Sequence, residues 1–132
     1  MSIWSGKHAE ISKPWGKECT WGSPFGVSGK LIHMNKNTRN SLKYYEHRNQ
    51  VLYCLAGNVR IHAIKENEFG QKCCESTGAY FDLSSGEYIL IQCKNPYRVE
   101  AKEDSVLVEV MDGKSMNNVA TILEDDYGRT TC

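Results

Sequence analysis

Short stretches of apolar or alternating residues recur along the chain about every ten residues, and turn residues separate them. The predicted strands cover residues 30–35, 41–47, 51–55, 59–65, 78–83, 88–92, 97–101 and 106–111. A side-chain period of two predicts strands with one buried face, and many short strands with regular turn signals are typical of a sandwich or barrel. Only residues 117–126 favour a helix. We therefore predict an all-β protein.

The length of 132 residues gives room for one domain with one core. We divide it into an N-terminal strand or arm (1–29), a barrel (30–111) and a C-terminal tail (112–132). With 16 basic and 16 acidic residues the formal net charge is zero, which argues against a broad surface for nucleic acid. No apolar run approaches the ~20 residues that cross a bilayer, and no secretory signal is visible. We expect a cytoplasmic protein with no nucleic-acid or membrane partner.

The cysteines show none of the spacings of a metal site or a disulfide framework. There are six of them, at positions 19, 54, 73, 74, 93 and 132, with no CxxC pair. Neighbours on a strand point to opposite faces, so the adjacent Cys73 and Cys74 suit neither zinc nor a simple disulfide. We expect reduced, structural thiols.

Several motifs occur in a recognisable order between residues 13 and 129. They are KPWGKE (Lys13–Glu18), SLKYYEHRNQVLYCLAG (41–57), YILIQCKNPYRVEA (88–101), VEVMDG (108–113) and LEDDYGR (123–129). Together they resemble the cupin domain of the mannose-6-phosphate isomerases that are fused to mannose-1-phosphate guanylyltransferases. The resemblance implies a cupin-type double-stranded β-helix, or jelly-roll, barrel with an interior sugar-phosphate pocket and a divalent metal. Nucleotide transfer is excluded, because the chain has no Gly-rich nucleotide loop.

The second motif places a candidate site on one strand face. Alternation predicts that Lys43, Tyr45 and His47 project to the same side. The resemblance implies histidines at the positions of Tyr45, His47 and Tyr97 and a carboxylate at Gln50, so that only the histidine at 47 remains. One imidazole and one amide hold a divalent ion poorly, and a neutral phenol adds little. We therefore expect a degenerate metal site and no metal cofactor.

The predicted ligand pocket contains basic, aromatic and amide side chains. Its members are Lys43, Tyr45, His47, Gln50, Tyr97 and Arg129. Lys43 stands where the family has Gln, and we predict that its ammonium supplies the positive charge a metal would have provided. Lys43 and His47 are the candidates for catalysis, although a surface lysine and a structural histidine are open alternatives. Arg48 and Arg98 follow pocket positions directly and are expected to point outward, and Trp15 is expected to pack over a barrel end.

Three functions are compatible with these residues. A neutral, hydrogen-bonding pocket favours a metal-free module that binds a sugar phosphate or a related metabolite in carbohydrate metabolism. The first alternative is an active sugar-phosphate isomerase, or a related sugar-modifying enzyme, with an altered site. The second is a non-catalytic dimeric scaffold. We also predict a homodimer, with the tryptophan-rich region 4–21 as part of the interface.

Overall fold

The computed structural model describes residues 3, 5–22, 25–63, 79–112 and 120–128. These residues form eleven strands and no helix. The strands are β1 (Ala9–Lys13), β2 (Gly16–Trp21), β3 (Val27–Met34), β4 (Leu42–Tyr44), β5 (Gln50–Ala56), β6 (Asn58–Ala63), β7 (Tyr80–Ser84), β8 (Tyr88–Ile91), β9 (Tyr97–Ala101), β10 (Ser105–Asp112) and β11 (Thr121–Glu124). The prediction of an all-β protein is confirmed.

The strands form two sheets whose neighbours are all antiparallel. One sheet has the order β1-β2-β3-β10-β5-β8, and the other has the order β11-β4-β9-β6-β7. Strands that follow one another in sequence often lie in different sheets, as β4 and β5 do, and this crossing between sheets produces the jelly roll. The predicted jelly-roll barrel is confirmed.

Both ends of the chain contribute strands to the sheets. The predicted arm contains β1 and β2, and β2 pairs with β3 over its whole length. The predicted tail contains β11, which pairs with β4 and therefore replaces the helix expected within residues 117–126. The described residues also contain no helix long and apolar enough to span a membrane. The division at residues 29 and 111 stays a prediction.

The core consists of apolar side chains that the strands direct between the two sheets. Its buried members include Trp15, Ile32, Met34, Leu52, Cys54, Val59, Ile61, Leu83, Val99, Ala101 and Leu107. Trp15 is 2% exposed and packs in this core, as expected, whereas Trp21 is 46% exposed. Trp4 lies outside the described residues, so pairing of two copies through region 4–21 stays a prediction.

The described cysteines are all free thiols. Cys19 and Cys54 are buried, and Cys93 is partly exposed. Burial raises the pKa of the Cys54 thiol, which keeps it protonated and unreactive. Positions 73, 74 and 132 lie outside the described residues.

Candidate functional site

One end of the barrel interior is polar. This end, called the mouth here, is where β3 begins and β10 ends. Cα pairing sets Glu109 of β10 opposite Lys30 of β3, and one layer deeper Leu107 lies opposite Ile32. Only 2% of Glu109 is exposed, so the mouth contains a buried carboxylate directly above the apolar core. We call Glu18, Lys30, Lys43, Gln50, Tyr97 and Glu109 the mouth cluster.

Glu109 is the centre of the hydrogen bonds in the mouth cluster. The side-chain amide of Gln50 donates to Glu109 Oε1 at 2.7 Å and to the Tyr97 hydroxyl oxygen at 2.8 Å. The other carboxylate oxygen, Oε2, accepts no hydrogen bond from the described residues, but it lies 3.4 Å from Lys30 Nζ. The Tyr97 hydroxyl also donates to Oε1, at 3.5 Å, so the carboxylate is held by an amide, a hydroxyl and an ammonium, as a buried charge requires.

Lys30 joins two carboxylates at the mouth. Its ammonium lies 3.2 Å from Glu18 Oε1, in addition to its contact with Glu109. Burial by itself opposes the charge on Lys30, but the two carboxylates outweigh it and raise the pKa of the ammonium above its usual value. Lys30 is therefore a positive charge at neutral pH.

Lys43 and Tyr45 also lie inside the barrel, each 5% exposed. Lys43 is the Cα partner of Tyr97 across β4 and β9, and its Nζ lies 4.9 Å from the centre of the Tyr97 ring. The same ammonium donates to the Ser41 carbonyl at 3.4 Å. This geometry is that of a cation–π contact, and the Lys43 ammonium is held away from bulk solvent.

His47 differs from the other predicted pocket residues, because its side chain is exposed. The expectation that it shares the interior face with Lys43 and Tyr45 is wrong. The reason is that β4 ends at Tyr44, so strand alternation does not extend to position 47. Of the predicted pocket, Lys43, Tyr45, Gln50 and Tyr97 lie inside the barrel, and Arg129 lies outside the described residues.

A cavity of about 490 Å³ opens at the mouth. We call it the mouth cavity, and the side chains that matter for its chemistry are Lys7, Thr20, Trp21, Ser28, Lys30 and Arg48. Three of these side chains are cationic, and none of the described residues that line the cavity is acidic. The cavity therefore offers positive charge to a ligand, while Glu18 and Glu109 lie behind Lys30.

Arg48 faces this cavity, contrary to the expectation that it points away from the barrel. Residues 45–49 lie between β4 and β5, so strand alternation does not apply to them. The guanidinium stacks on the ring of Tyr45, with Cζ 4.5 Å from the ring centre. Its Nε is buried and has no hydrogen-bond partner among the described residues. A buried donor without an acceptor is costly, so a bound oxygen here would be stabilising.

Arg98 was also expected to point outward into solvent, but it is only 3% exposed. Its guanidinium donates two hydrogen bonds to the carbonyl of Asn40 at 2.9 and 3.0 Å. It also pairs with Glu124 at 3.1 Å and with Asp126 at 3.3 Å. The strand does turn this side chain away from the interior, but the segment containing β11 covers it. Arg98 thus anchors that segment and does not face the mouth cavity.

The sequence interpretation missed Glu18, Lys30 and Glu109. A signal for Glu109 was present in the predicted strand 106–111, VLVEVM. Alternation puts Glu109 on the same face as Leu107 and Met111, and a lone acid on a core face indicates a paired or functional group. Its partner Lys30 lies on another strand, and no local pattern predicts that pairing.

A second group of polar side chains lies on the other face of the same sheet. Cα pairing joins Glu10 of β1 to Cys19 of β2, and His8 directly precedes β1. One nitrogen, oxygen or sulfur atom from each residue lies within 4.8 Å of the others. We call His8, Glu10 and Cys19 the edge triad. Among the described residues, these three ligand-type side chains are close enough together for a metal ion.

Comparison with known proteins identifies the fold. No family model and no curated protein sequence matches the chain. KdgF from Halomonas sp. is similar in structure with a TM-score of 0.66 and 13% identity, over 83% of this chain and 90% of that chain. The Schizosaccharomyces pombe Cnp3 cupin domain has a TM-score of 0.56 and 11% identity, over 72% of this chain and 64% of its own. The chain has the cupin fold.

Oxalate decarboxylase from Bacillus subtilis shares this fold as well. At pH 4.6 its structure gives a TM-score of 0.72 and 12% identity over 93% of this chain. The chain spans about a third of that enzyme's length, since 33% of the enzyme is covered. At such identities the likeness establishes the fold alone. The finer resemblance to mannose-6-phosphate isomerase stays a prediction.

The prediction of no metal cofactor is contradicted by two findings. Oxalate decarboxylase from Bacillus subtilis, which has the same fold at 12% identity, contains Mn(II) centres. In this chain, the edge triad brings three ligand-type side chains together. The prediction failed because it counted donors only at positions 45, 47, 50 and 97. It could not include a group formed by the pairing of β1 with β2.

Proposed function

We propose that this cupin-fold chain binds a small anionic metabolite, of the sugar-phosphate class, in the mouth cavity. The observation that carries the proposal is the set of three cations, Lys7, Lys30 and Arg48, around a cavity of about 490 Å³. Cavities of roughly 300–1,000 Å³ suit metabolites and drug-sized ligands. The charge of the lining selects anions among such molecules.

The three cations offer complementary contacts to a phosphate or carboxylate. The Arg48 guanidinium has a fork of donors and is held in place by the ring of Tyr45. Its buried Nε has no acceptor among the described residues, and an anionic oxygen would supply one. Lys30 is held by its two carboxylates, so its charge is already positioned before a ligand arrives.

Other lining residues suit the sugar part of such a ligand. The hydroxyls of Thr20 and Ser28 can donate to and accept from sugar hydroxyls. Trp21 adds an apolar ring on which a sugar face can pack. Its indole lies close against Gly29, where an added Cβ would clash with the indole carbon Cζ2. A glycine at position 29 is thus required for this placement of the ring.

Isomerisation of the bound sugar phosphate is the second candidate function. Moving a proton between neighbouring carbons needs a base and an electrophile. Glu109 and Lys30 are a carboxylate and an ammonium 3.4 Å apart, and Lys30 lines the cavity. Binding is preferred as the proposed function, because Glu109 does not itself line the cavity.

The test is calorimetric titration of the full chain with mannose 6-phosphate, inorganic phosphate and mannose. We expect mannose 6-phosphate to bind most tightly and mannose to bind least. Arg48→Ala removes charge-assisted hydrogen bonds, so the affinity for mannose 6-phosphate should fall by ~10-fold or more. Arg60→Ala is the matched control, because Arg60 pairs with Asp82 on the other sheet. Conversion of the sugar phosphate, seen by NMR and lost in Glu109→Gln, would favour the isomerase.

The proposal fails if none of the three compounds binds at millimolar concentration. It also fails if Arg48→Ala and Arg60→Ala bind mannose 6-phosphate equally well. Binding of inorganic phosphate alone would leave an anion site but would contradict the sugar-phosphate class.

A further inference from the structure

We propose that the edge triad, His8, Glu10 and Cys19, is a zinc site on the outer face of the six-stranded sheet. It is distinct from the mouth cavity, because none of its three residues lines that cavity. Glu18 reaches the interior and contacts Lys30, whereas Cys19 projects to the outer face beside Glu10. The inference is therefore independent of the proposed function.

Strand pairing creates the geometry of the triad. Directly paired residues of antiparallel strands have neighbouring side chains, and Glu10 and Cys19 are such a pair. His8, directly before β1, adds a third donor. The ligand atoms all lie within 4.8 Å of one another, whereas ligands around one zinc ion are about 3.5 Å apart. The proposal therefore requires the three ligand atoms to move together by about 1 Å when the ion binds.

The three donors favour zinc among the common divalent ions. Thiolate and imidazole are preferred zinc ligands, and a carboxylate completes many zinc sites, whereas magnesium and calcium prefer oxygen alone. Zinc would bind the deprotonated thiol and release its proton to solvent. The thiolate and carboxylate together balance the charge of the ion. Three protein ligands leave a fourth position for water or for a ligand from outside, and the exposure of His8 and Glu10 makes this position accessible.

Lys17 is the competitor of the metal at this site. Its Nζ pairs with Glu10 Oε1 at 3.1 Å, and both side chains are about half exposed. An exposed ion pair contributes little to stability, so it yields readily to a metal bond. The competition gives a signature that a nonspecific site would not show, because removing Lys17 should strengthen zinc binding.

Zinc bound at this position would stabilise the pairing of the edge strand β1 with β2. Among the described strands, β1 is the outermost of its sheet, with β2 as its one neighbour. A ligand that binds only the folded state stabilises it by mass action. Amide hydrogens of β1 should therefore exchange more slowly when zinc is present, which gives a readout independent of any activity.

The experiment uses the full chain, reduced and freed of metal with a chelator. Zinc binding is measured by competition with a chromophoric chelator, and cobalt is substituted to detect a sulfur-to-cobalt charge-transfer band. We expect one zinc per chain and a cobalt spectrum with that band. The affinity for zinc should fall by more than ~10-fold in each of His8→Ala, Glu10→Gln and Cys19→Ser, and it should rise in Lys17→Met.

Two controls keep the result interpretable. Cys93→Ser removes a thiol that is not part of the triad and should bind zinc as the unchanged chain does. Because Cys19 is buried, circular dichroism checks the fold of its variant, and the exposed positions 8 and 10 give a second route to the answer. Equal zinc affinity in His8→Ala, Glu10→Gln and the unchanged chain overturns the proposal. A cobalt band that survives Cys19→Ser overturns it as well.

Discussion

The two halves of the barrel interior are built by the same strands with opposite chemistry. Toward the mouth, β3 and β10 place Lys30 and Glu109 opposite each other, and one layer deeper the same strands place Ile32 opposite Leu107. On β5 the change is from Gln50 to the fully buried Leu52. Each strand thus passes from polar to apolar within two residues.

The deep layers of the interior supply most of the folding stability, whereas the mouth supplies the groups that contact a ligand. The deep layers bury apolar side chains, and each buried methylene contributes roughly 0.8 kcal/mol to folding. The mouth buries charges that are stable only as a paired set, because an isolated charge in the interior is strongly unfavourable. The mouth can therefore present fixed cations to a ligand, while the deep layers hold the strands in place.

The largest effect is expected from Glu109→Ala at the mouth. The substitution removes one of the two carboxylates that hold Lys30, which keeps Glu18, and takes the carboxylate acceptor from the Gln50 amide. It should cost about 3 kcal/mol of unfolding free energy. Urea denaturation measures this loss, with Glu103→Ala, at an exposed acid before the opposite end of β10, as the control. The triple variant Glu18→Gln, Lys30→Met, Glu109→Leu removes all three charges together and should recover much of the stability. If Glu109→Ala lowers the unfolding free energy by no more than Glu103→Ala does, the charges of the mouth are not a paired set and the comparison of the two halves is wrong.

A smaller effect is expected from Ile32→Val in the deep layer. Loss of one buried methylene with little repacking should cost about 0.5–1.5 kcal/mol. Mannose 6-phosphate affinity should stay unchanged, since Ile32 does not line the mouth cavity. Denaturation and titration on the same protein check both points. A deep-layer change that alters affinity without altering the fold would show that the halves are coupled.

The smallest effect is expected from Asp126→Asn, outside the barrel. Hydrogen bonding from Arg39 lowers the pKa of Asp126, burial opposes the shift, and the charge of Arg98 adds to it. Because the folded pKa is depressed, this stabilisation is present above about pH 4 and is lost as the pH falls through the folded pKa. An exposed ion pair contributes about 0.2–1 kcal/mol, so the variant should lose that much at pH 7.

The matching measurement for Asp126 is denaturation from pH 7 down to pH 2. The stabilities of the unchanged chain and Asp126→Asn should converge at the acid end. Divergence there, or a loss at pH 7 as large as that of Glu109→Ala, would show that ion pairs outside the barrel matter as much as those at the mouth.

Local patterns predicted much of the fold and part of the site. Alternation in residues 59–65 and 106–111 identified β6 and β10, and turn residues marked the ends of most strands. Lys43 lies in β4, where alternation applies, and its interior position follows from the pattern, whereas Tyr45 lies just beyond β4 and is buried all the same. His47 and Arg48 were misplaced, because the period of two holds only inside a strand and β4 ends at Tyr44.

The sequence by itself determined the all-β class and the interior position of several polar side chains, whereas the cupin type of barrel came from the resemblance of its motifs to a known family. The first two properties have a local physical cause. These properties follow from neighbours along the chain, whose spacing decides which face each side chain takes. Only the tertiary structure decided that Glu109 meets Lys30, that Arg48 faces the mouth cavity, and that Glu10 lies beside Cys19. Those contacts join different strands or loops. Their register depends on how the two sheets pack, and that packing is decided by the free energies of many residues together.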